Sequence, residues 1–351
     1  MLGSAGLVGL DIGASAVRAA RVATGKRGSA LAAFGQVALP ADAVVDGEIR
    51  DAGAVSEAIA QLWKRAKLRT RKAVVGVANQ RVVVRQVTLP FMEEKDFRQS
   101  LRFQAADHIP MPVETAELDF QIIDDYSSDQ ERMMRVLLVA AATDMIESFV
   151  GAAAAGGIEA VGVDLAPFAT ARAVSPAARG EYGVDGAEAV VDVGAQVTSI
   201  VVHSGGEARF VRILTRGGRD STDALAEHLG IEPEEAEGLK LDLAKGIGSA
   251  ESQRVLRERM SALVDEIRGS LAYYSSSEDS EPVASVILTG GGALTPGLIE
   301  QLDQALHAHV RRATPFEDLD VSRSGLSPEQ IEQIEPVVAT AVGLATGRTS
   351  T

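Results

Sequence analysis

The chain has 351 residues, 46% hydrophobic and 24% charged, with a formal net charge of −15 and a pI near 4.9. That length exceeds one ordinary core, so two or more lobes are expected. The acidity argues against a general nucleic-acid binder and against direct adhesion to an anionic membrane. The absence of cysteine rules out disulfides and thiolate metal sites. Residues 1–9 show no basic stretch ahead of an apolar core, and the most apolar window, residues 136–142, is far short of a membrane span. A cytoplasmic protein without direct membrane insertion is therefore expected.

Residues 7–10 form an apolar run ending at Asp11-Ile12-Gly13-Ala14, and a strand-like stretch over 17–23 follows, which predicts a β-hairpin. Val55, Ala58, Ile59, Leu62 and Ala66 keep helical spacing and predict an amphipathic helix over 54–67. Its end is basic, with six Lys or Arg over residues 63–72, which reads as a solvated helix end favoured by the macrodipole. Residues 73–78 are expected as an inner strand. From residue 81 the texture changes. A strand over 82–89 stops at Pro90, and a polar helix over 93–108 carries Phe97, Leu101 and Ala105. Strands are expected over 117–123 and 134–142, flanking an acidic tip at 124–130. Thr143 is a candidate N-cap for a helix ending at Gly156-Gly157. Residues 81–160 thus read as an α+β subdomain inserted into a first lobe over 1–80. About 161–186 and a C-terminal helix over 336–348 complete that lobe.

Residues 180–186 are a plausible hinge. Beyond them the opening recurs as an apolar run over 189–191, Asp192-Val193-Gly194-Ala195, and a strand over 197–202. Such an internal duplication implies two similar lobes. The second is expected over 187–335, with a helical subdomain over about 221–278. One of its helices ends at Gly230. The next starts at Pro233 with Glu234, Glu235 and Glu237 near its start. A long helix shows Leu256, Met260, Leu263, Ile267, Leu271 and Tyr274 on one face. A strand over 286–289 runs into Gly290-Gly291-Gly292. The last helix is small on all sides (Val338, Ala339, Ala341, Val342, Gly343, Ala345), which places it at a packed seam.

Asp11-Ile12-Gly13-Ala14-Ser15 and Asp192-Val193-Gly194-Ala195-Gln196 share one design, a strand that delivers a carboxylate to a Gly-containing turn. Backbone N–H groups of such a turn can hold phosphate oxygens. The carboxylates suit Mg²⁺ held through water rather than phosphate itself. A single Asp-x-Gly turn is a common hairpin tip, but two copies after equivalent strands favour one nucleotide gripped by both. Gly290-Gly291-Gly292-Ala293 between strand and helix would let a ligand lie against the backbone. Glu237 and Lys240 share a helix face, as an ion pair or as ligands. Gly217-Gly218 precedes a helix and can add to the cradle. Other chemistries lack support. His307-x-His309 would point apart on a helix, and neither a Gly-x-Ser-x-Gly elbow nor a Walker-type loop is present.

Asp11-Ile12-Gly13, Asp192-Val193-Gly194 and Gly290-Gly291-Gly292 resemble, in that order, the phosphate and adenosine loops of the actin, sugar-kinase and heat-shock ATPase superfamily. Ala236-Glu237-Gly238-Leu239-Lys240 resembles the helix of its cell-division branch, FtsA. The pattern Gly9-Leu10-Asp11-Ile12-Gly13, Val87-Thr88-Leu89-Pro90, His108-Ile109-Pro110 and Leu118-Asp119-Phe120-Gln121 is similar to the family of type IV pilus assembly protein PilM. So is Gly217-Gly218 followed by Ala236-Glu237 and Lys240.

The resemblance implies a two-lobe, actin-like (ribonuclease H-like) α/β fold with an inserted α+β subdomain and ATP-Mg²⁺ in the cleft. Phosphate contacts would come from Asp11, Gly13, Ala14, Ser15, Ala16, Asp192, Gly194, Ala195, Gln196, Gly217 and Gly218. Nucleoside contacts would come from Glu237, Lys240, Gly290, Gly291 and Gly292, and Asp11 and Asp192 would hold Mg²⁺ through water. A groove beside the inserted subdomain would take the cytoplasmic tail of a PilN-like single-span membrane protein, making the chain a scaffold at the inner face of the membrane among other pilus assembly proteins. Self-association stays open. No catalytic residue is assigned. In Asp164-Leu165-Ala166-Pro167-Phe168 the one carboxylate able to orient water is read as an N-cap, so turnover should be slow or absent. The alternatives are an FtsA-like division protein and, further off, a small-molecule kinase of the same superfamily.

Overall fold

Val8, Leu10 and Ile12 point into one core while Gly9 faces another, so β1 (Val8–Ile12) is covered on both sides. The computed structural model describes residues 7–25, 28–127, 131–179, 186–277 and 280–347. β1 is followed by β2 (Ala16–Gly25) and β3 (Gly28–Ala38), then a short hairpin, β4 (Val44–Val45) and β5 (Glu48–Ile49). In α1 (Ala52–Arg65) the Asp51 carboxylate accepts from the Ala54 N–H at 2.9 Å, an N-cap worth about 1 kcal/mol. The buried stripe of α1 is Val55, Ala58, Ile59 and Leu62, and β6 (Lys72–Val77) follows.

β7 (Val82–Pro90), α2 (Glu94–Ala105), β8 (Ala116–Ser127), β9 (Arg132–Ala142) and α3 (Thr143–Ala155) come next. The strands form a separate sheet in the order β7-β9-β8, with α2 packed through Phe97, whose ring meets Phe120 edge-on at 4.7 Å. The chain returns through β10 (Glu159–Leu165) and α4 (Ala166–Val174).

The second half repeats the first. It comprises β11 (Ala187–Val193), β12 (Thr198–Ser204), β13 (Glu207–Leu214), α5 (Gly218–Leu229), α6 (Pro233–Ala244), α7 (Ala250–Ser275), β14 (Val283–Thr289), α8 (Leu298–Ala305) and β15 (His309–Arg312). The chain closes with β16 (Leu319–Asp320), α9 (Pro328–Ile334) and α10 (Ala339–Thr346). One sheet runs β10-β6-β1-β2-β3-β16 and the other β13-β12-β11-β14-β15. In each, an antiparallel meander of three strands is extended from its first strand by two parallel ones. The duplication read from the Asp-x-Gly loops is thus a duplication of strand order.

α4 and α10, the helices after the two parallel runs, cross each other. A Cβ on Gly343 would lie 1.7 Å from Ala169 O, and one on Gly9 would lie 2.1 Å from Ala341 O, so glycine permits both approaches. The small-residue helix does sit at a seam, although it starts at Ala339 after a 3-10 turn over Glu335–Val337 rather than at residue 336.

Several local expectations need correction. Asp124 and Asp125 belong to β8, paired with Arg135 and Arg132 across the sheet, rather than to a hairpin tip. Residues 128–130 of that expected tip, and 180–185 of the expected hinge, lie outside the described residues. Thr143 is the first helical residue, and Ala142 occupies the N-cap. Asp164 is no cap either. Leu165 holds that position and the Asp164 carboxylate accepts from Arg172. Finally, residues 319–320, expected in the second lobe, pair in parallel with β3 of the first sheet.

Candidate functional site

Asp11 and Asp192 occupy equivalent places, next to last in β1 and β11, level with Gly76 and Thr289 of the neighbouring parallel strands. The turns after them close alike. The Gly13 N–H donates to Ala16 O at 3.1 Å and the Gly194 N–H to Val197 O at 2.9 Å. Both carboxylates therefore stand at carboxyl ends of parallel strands, where open α/β sheets bind ligands. Between the two sheets lies a cleft of about 580 Å³, a volume that suits a small-molecule ligand.

The cleft is lined by Asp11, Gly13, Ala14, Ser15, Asp192, Gly194, Ala195, Gln196, Gly218, Glu237, Lys240, Gly290, Gly291 and Gly292. Two expected residues stand aside. Ala16 is buried as the first residue of β2, where its carbonyl closes the turn. Gly217 braces the second loop, since a Cβ there would lie 2.5 Å from Ala195 O. Nor are the first N–H groups of α5 free to cradle a ligand. Those of Gly218 and Arg219 donate to Gly194 O and Ala195 O at 2.9 and 2.8 Å.

Lys240 is nearly buried and organises this corner. Its Nζ donates to Gly218 O at 3.0 Å and Thr222 Oγ1 at 2.8 Å, and lies 2.7 Å from Glu237 Oε2. The Thr222 hydroxyl donates in turn to Glu237. The pair is thus more than a surface bridge, because the ammonium ties α6 to the start of α5. Gly290 takes φ +91°, and a Cβ there would stand 2.3 Å from Val193 O and 2.4 Å from Asp192 Oδ1. Glycine is required by both conformation and space.

The carboxylates of both turns have raised pKa values. Burial raises the Asp11 pKa, opposed by Arg18, whose NH1 lies 3.6 Å from Asp11 Oδ2. Asp192 is pushed up to about 6, first by burial and then by repulsion from Asp11, against hydrogen bonds from Thr340 and Thr170. Repulsion of Asp192 by the Asp11 charge is what a divalent ion beside the two carboxylates would relieve. Among the described residues no cluster of three or more His, Asp or Glu is placed to hold a metal directly. Arg18 Nε is buried without a hydrogen-bond partner, and the guanidinium that pairs with Asp11 also borders the turn of Gly13. Arg18, Thr170 and Thr340 escaped the sequence reading because each belongs to a strand or helix whose local pattern is that of core.

Comparison with known proteins bears on the family and the fold. The family model of type IV pilus assembly protein PilM matches residues 9–349. A solved PilM-PilN type IV pilus biogenesis complex superposes with a TM-score of 0.84 at 29% identity, covering 97% of each chain. MreB5 of Spiroplasma citri bound to ADP superposes at 0.52 and 12% identity, over 89% of this chain and 93% of that one, which shows the actin-like fold. Among curated proteins, cell division protein FtsA of Bacillus subtilis is 24% identical over 88% of this chain and 78% of its own. FtsA of Escherichia coli strain K12 is 26% identical over 60% and 54%. The two sheets are therefore the lobes of an actin-like α/β fold. No helix among the described residues is long and apolar enough to cross a membrane.

Proposed function

From the premise that the chain belongs to the type IV pilus assembly protein PilM family, we propose that it is an ATP-binding scaffold of an inner-membrane pilus assembly platform. The observation that carries the nucleotide part is the pair of Asp-x-Gly turns facing one cleft from equivalent strands. The turns at Gly13 and Gly194 would take the phosphates, with Arg18 adding positive charge. Glu237, Lys240 and Gly290 to Gly292 would take the nucleoside. Asp11 and Asp192 would hold Mg²⁺ through its water, and the ion would neutralise phosphate charge.

Binding rather than turnover is the expected role. Asp164, the one carboxylate considered for orienting water, is committed to Arg172. A hydrolase without an oriented water loses its positioning term while binding is untouched.

The partner would be the cytoplasmic tail of a PilN-like single-span membrane protein, docked where the block of β7 to α3 meets the first lobe. That tether would hold the chain at the inner face of the cytoplasmic membrane, near other pilus assembly proteins. The relatedness to FtsA supports an alternative, a division protein, but at lower identity than the PilM-PilN complex. Co-purification from native cells tests the reading. Recovery of a PilN-like protein, with a thermal shift on adding ATP-Mg²⁺, is expected. Recovery of division proteins instead, or no response to nucleotide, would overturn it.

A further inference from the structure

α10 is apolar along its length except for threonine, with Ala339, Ala341, Val342, Leu344 and Ala345 buried. α4 buries Pro167, Ala169, Ala171 and Val174 around Thr170. In each helix a buried hydroxyl interrupts the seam, at 1% exposure for Thr170 and 7% for Thr340. A buried hydroxyl is costly without a hydrogen bond. Both hydroxyls find the same acceptor. Thr340 Oγ1 lies 3.3 Å and Thr170 Oγ1 3.5 Å from Asp192 Oδ2, and the two hydroxyls are 2.9 Å apart.

Each hydroxyl carries one proton, so the two cannot both donate to Asp192 and also bond each other. The 2.9 Å contact between them means that one proton is spent there. The shorter reach to the carboxylate makes Thr340 its donor and Thr170 the donor to Thr340. The result is a chain from α4 through α10 to Asp192 that ends on Oδ2. Oδ1 stays on the side of the Gly290 turn, where a Cβ would stand 2.4 Å from it.

We propose that Thr340, backed by Thr170, is a positioning residue that fixes the Asp192 carboxylate in the orientation that receives a hydrated divalent cation. The inference rests on the nucleotide reading of the cleft. It makes the crossing of the two helices part of the metal site, so the cation is sensed where the lobes join. Groups that orient ligands to a metal typically change metal affinity by 10–100-fold when removed.

The test is ATP affinity by titration calorimetry on the full chain, once with MgCl₂ and once with EDTA. Thr340→Val removes the proton at nearly constant volume and should cut the gain from Mg²⁺ about tenfold, leaving affinity in EDTA unchanged. Thr340→Ser should restore the gain. Thr170→Val, which keeps the Thr340 proton, should reduce the gain in the same direction but by less, and gives the readout if Thr340→Val does not fold. A purely structural role would lower affinity equally with and without Mg²⁺, or change neither, and either result overturns the inference while the parent's Mg²⁺-dependent binding still supports the cleft. A parent that binds no ATP in either buffer overturns the cleft reading and this inference together.

Discussion

Gln196 Oε1 accepts a hydrogen bond from the Asp46 N–H at 3.0 Å, joining the second carboxylate turn to the β4–β5 hairpin of the other lobe. The hairpin tip is itself anchored, because Asn79 Nδ2 donates to Gly47 O at 3.2 Å and a Cβ on Gly47 would lie 2.3 Å from Ala78 O. A second bridge, Gln80 Nε2 to Thr215 Oγ1 at 3.2 Å, spans the lobes nearby. Gln196 thus ties the two lobes together as well as lining the cleft. A net hydrogen bond of about 1 kcal/mol corresponds to about fivefold in rate. Gln196→Ala should speed release of a fluorescent ATP analogue by about that factor in stopped flow, with stability lowered by no more than about 1 kcal/mol. An unchanged release rate would remove the hairpin as a latch.

Not every loop glycine is an equally clean probe of phosphate approach. Cβ atoms on Gly194 and Gly290 would lie 2.7 and 2.3 Å from backbone oxygens, so substitutions there damage the fold. At Gly13 the nearest atoms, Ala16 O and Arg18 NH1, are both 3.5 Å away, which is ordinary contact. Gly13→Ala should therefore keep the melting temperature while abolishing the stabilisation by ATP-Mg²⁺. That stabilisation is about 2.7 kcal/mol at a hundred times the dissociation constant. Retention of the nucleotide shift would show that phosphate does not approach this turn.

The raised pKa of Asp192 has a definite sign in the pH dependence of the ligand-free protein. A carboxyl whose folded pKa stands at about 6, against 3.8 as reference, binds its proton more tightly in the native state. Its contribution to stability is fully present below about 3.8 and lost as pH rises through about 6. Asp192→Asn is neutral at every pH and escapes that loss. At pH 8 it should be more stable than the parent by up to about 3 kcal/mol, and near pH 4 the gap should close. Denaturant melts at both values check this, and a gap independent of pH would refute it. The same variant should lose part of its Mg²⁺ dependence in ATP binding.

What could be read in advance was what is local. An apolar strand running into Asp-x-Gly keeps its meaning wherever the strand lies, so both carboxylate turns and the duplication were visible. The third strand of each sheet was not. β3 is rich in Gly and Ala, weak strand formers, and is extended because it pairs with β2 along its length. Asp164 was visible as a carboxylate, but Arg172 claims it from eight residues away on the next helix. Gly217-Gly218 was visible as a turn, whereas the carbonyls of Gly194 and Ala195 that occupy the N–H groups beside it come from another loop.

The crossing of α4 and α10 yields the last prediction, a contrast between two helical glycines. Glycine inside a helix costs about 0.5–1 kcal/mol relative to alanine, so Gly→Ala is stabilising where the methyl has room. Gly151 in α3 has nothing within 4 Å of an added Cβ, and Gly151→Ala should raise the melting temperature by about 1 °C. Gly343 is the opposite case, for a Cβ there would sit 1.7 Å from Ala169 O and 2.3 Å from its carbonyl carbon. Backbone cannot swing aside like the end of a side chain, so α10 must move off α4. α10 also covers β1 at Gly9 and carries Thr340, so that movement would disturb the core of the first lobe and the support of Asp192 together. Gly343→Ala should therefore destabilise by about 3 kcal/mol or more, at the upper end of what overpacking costs. It should also weaken ATP-Mg²⁺ binding without touching a residue of the cleft. Thermal melts of the two variants side by side check it, and a Gly343→Ala protein as stable as the parent would show that the two helices do not cross at this distance.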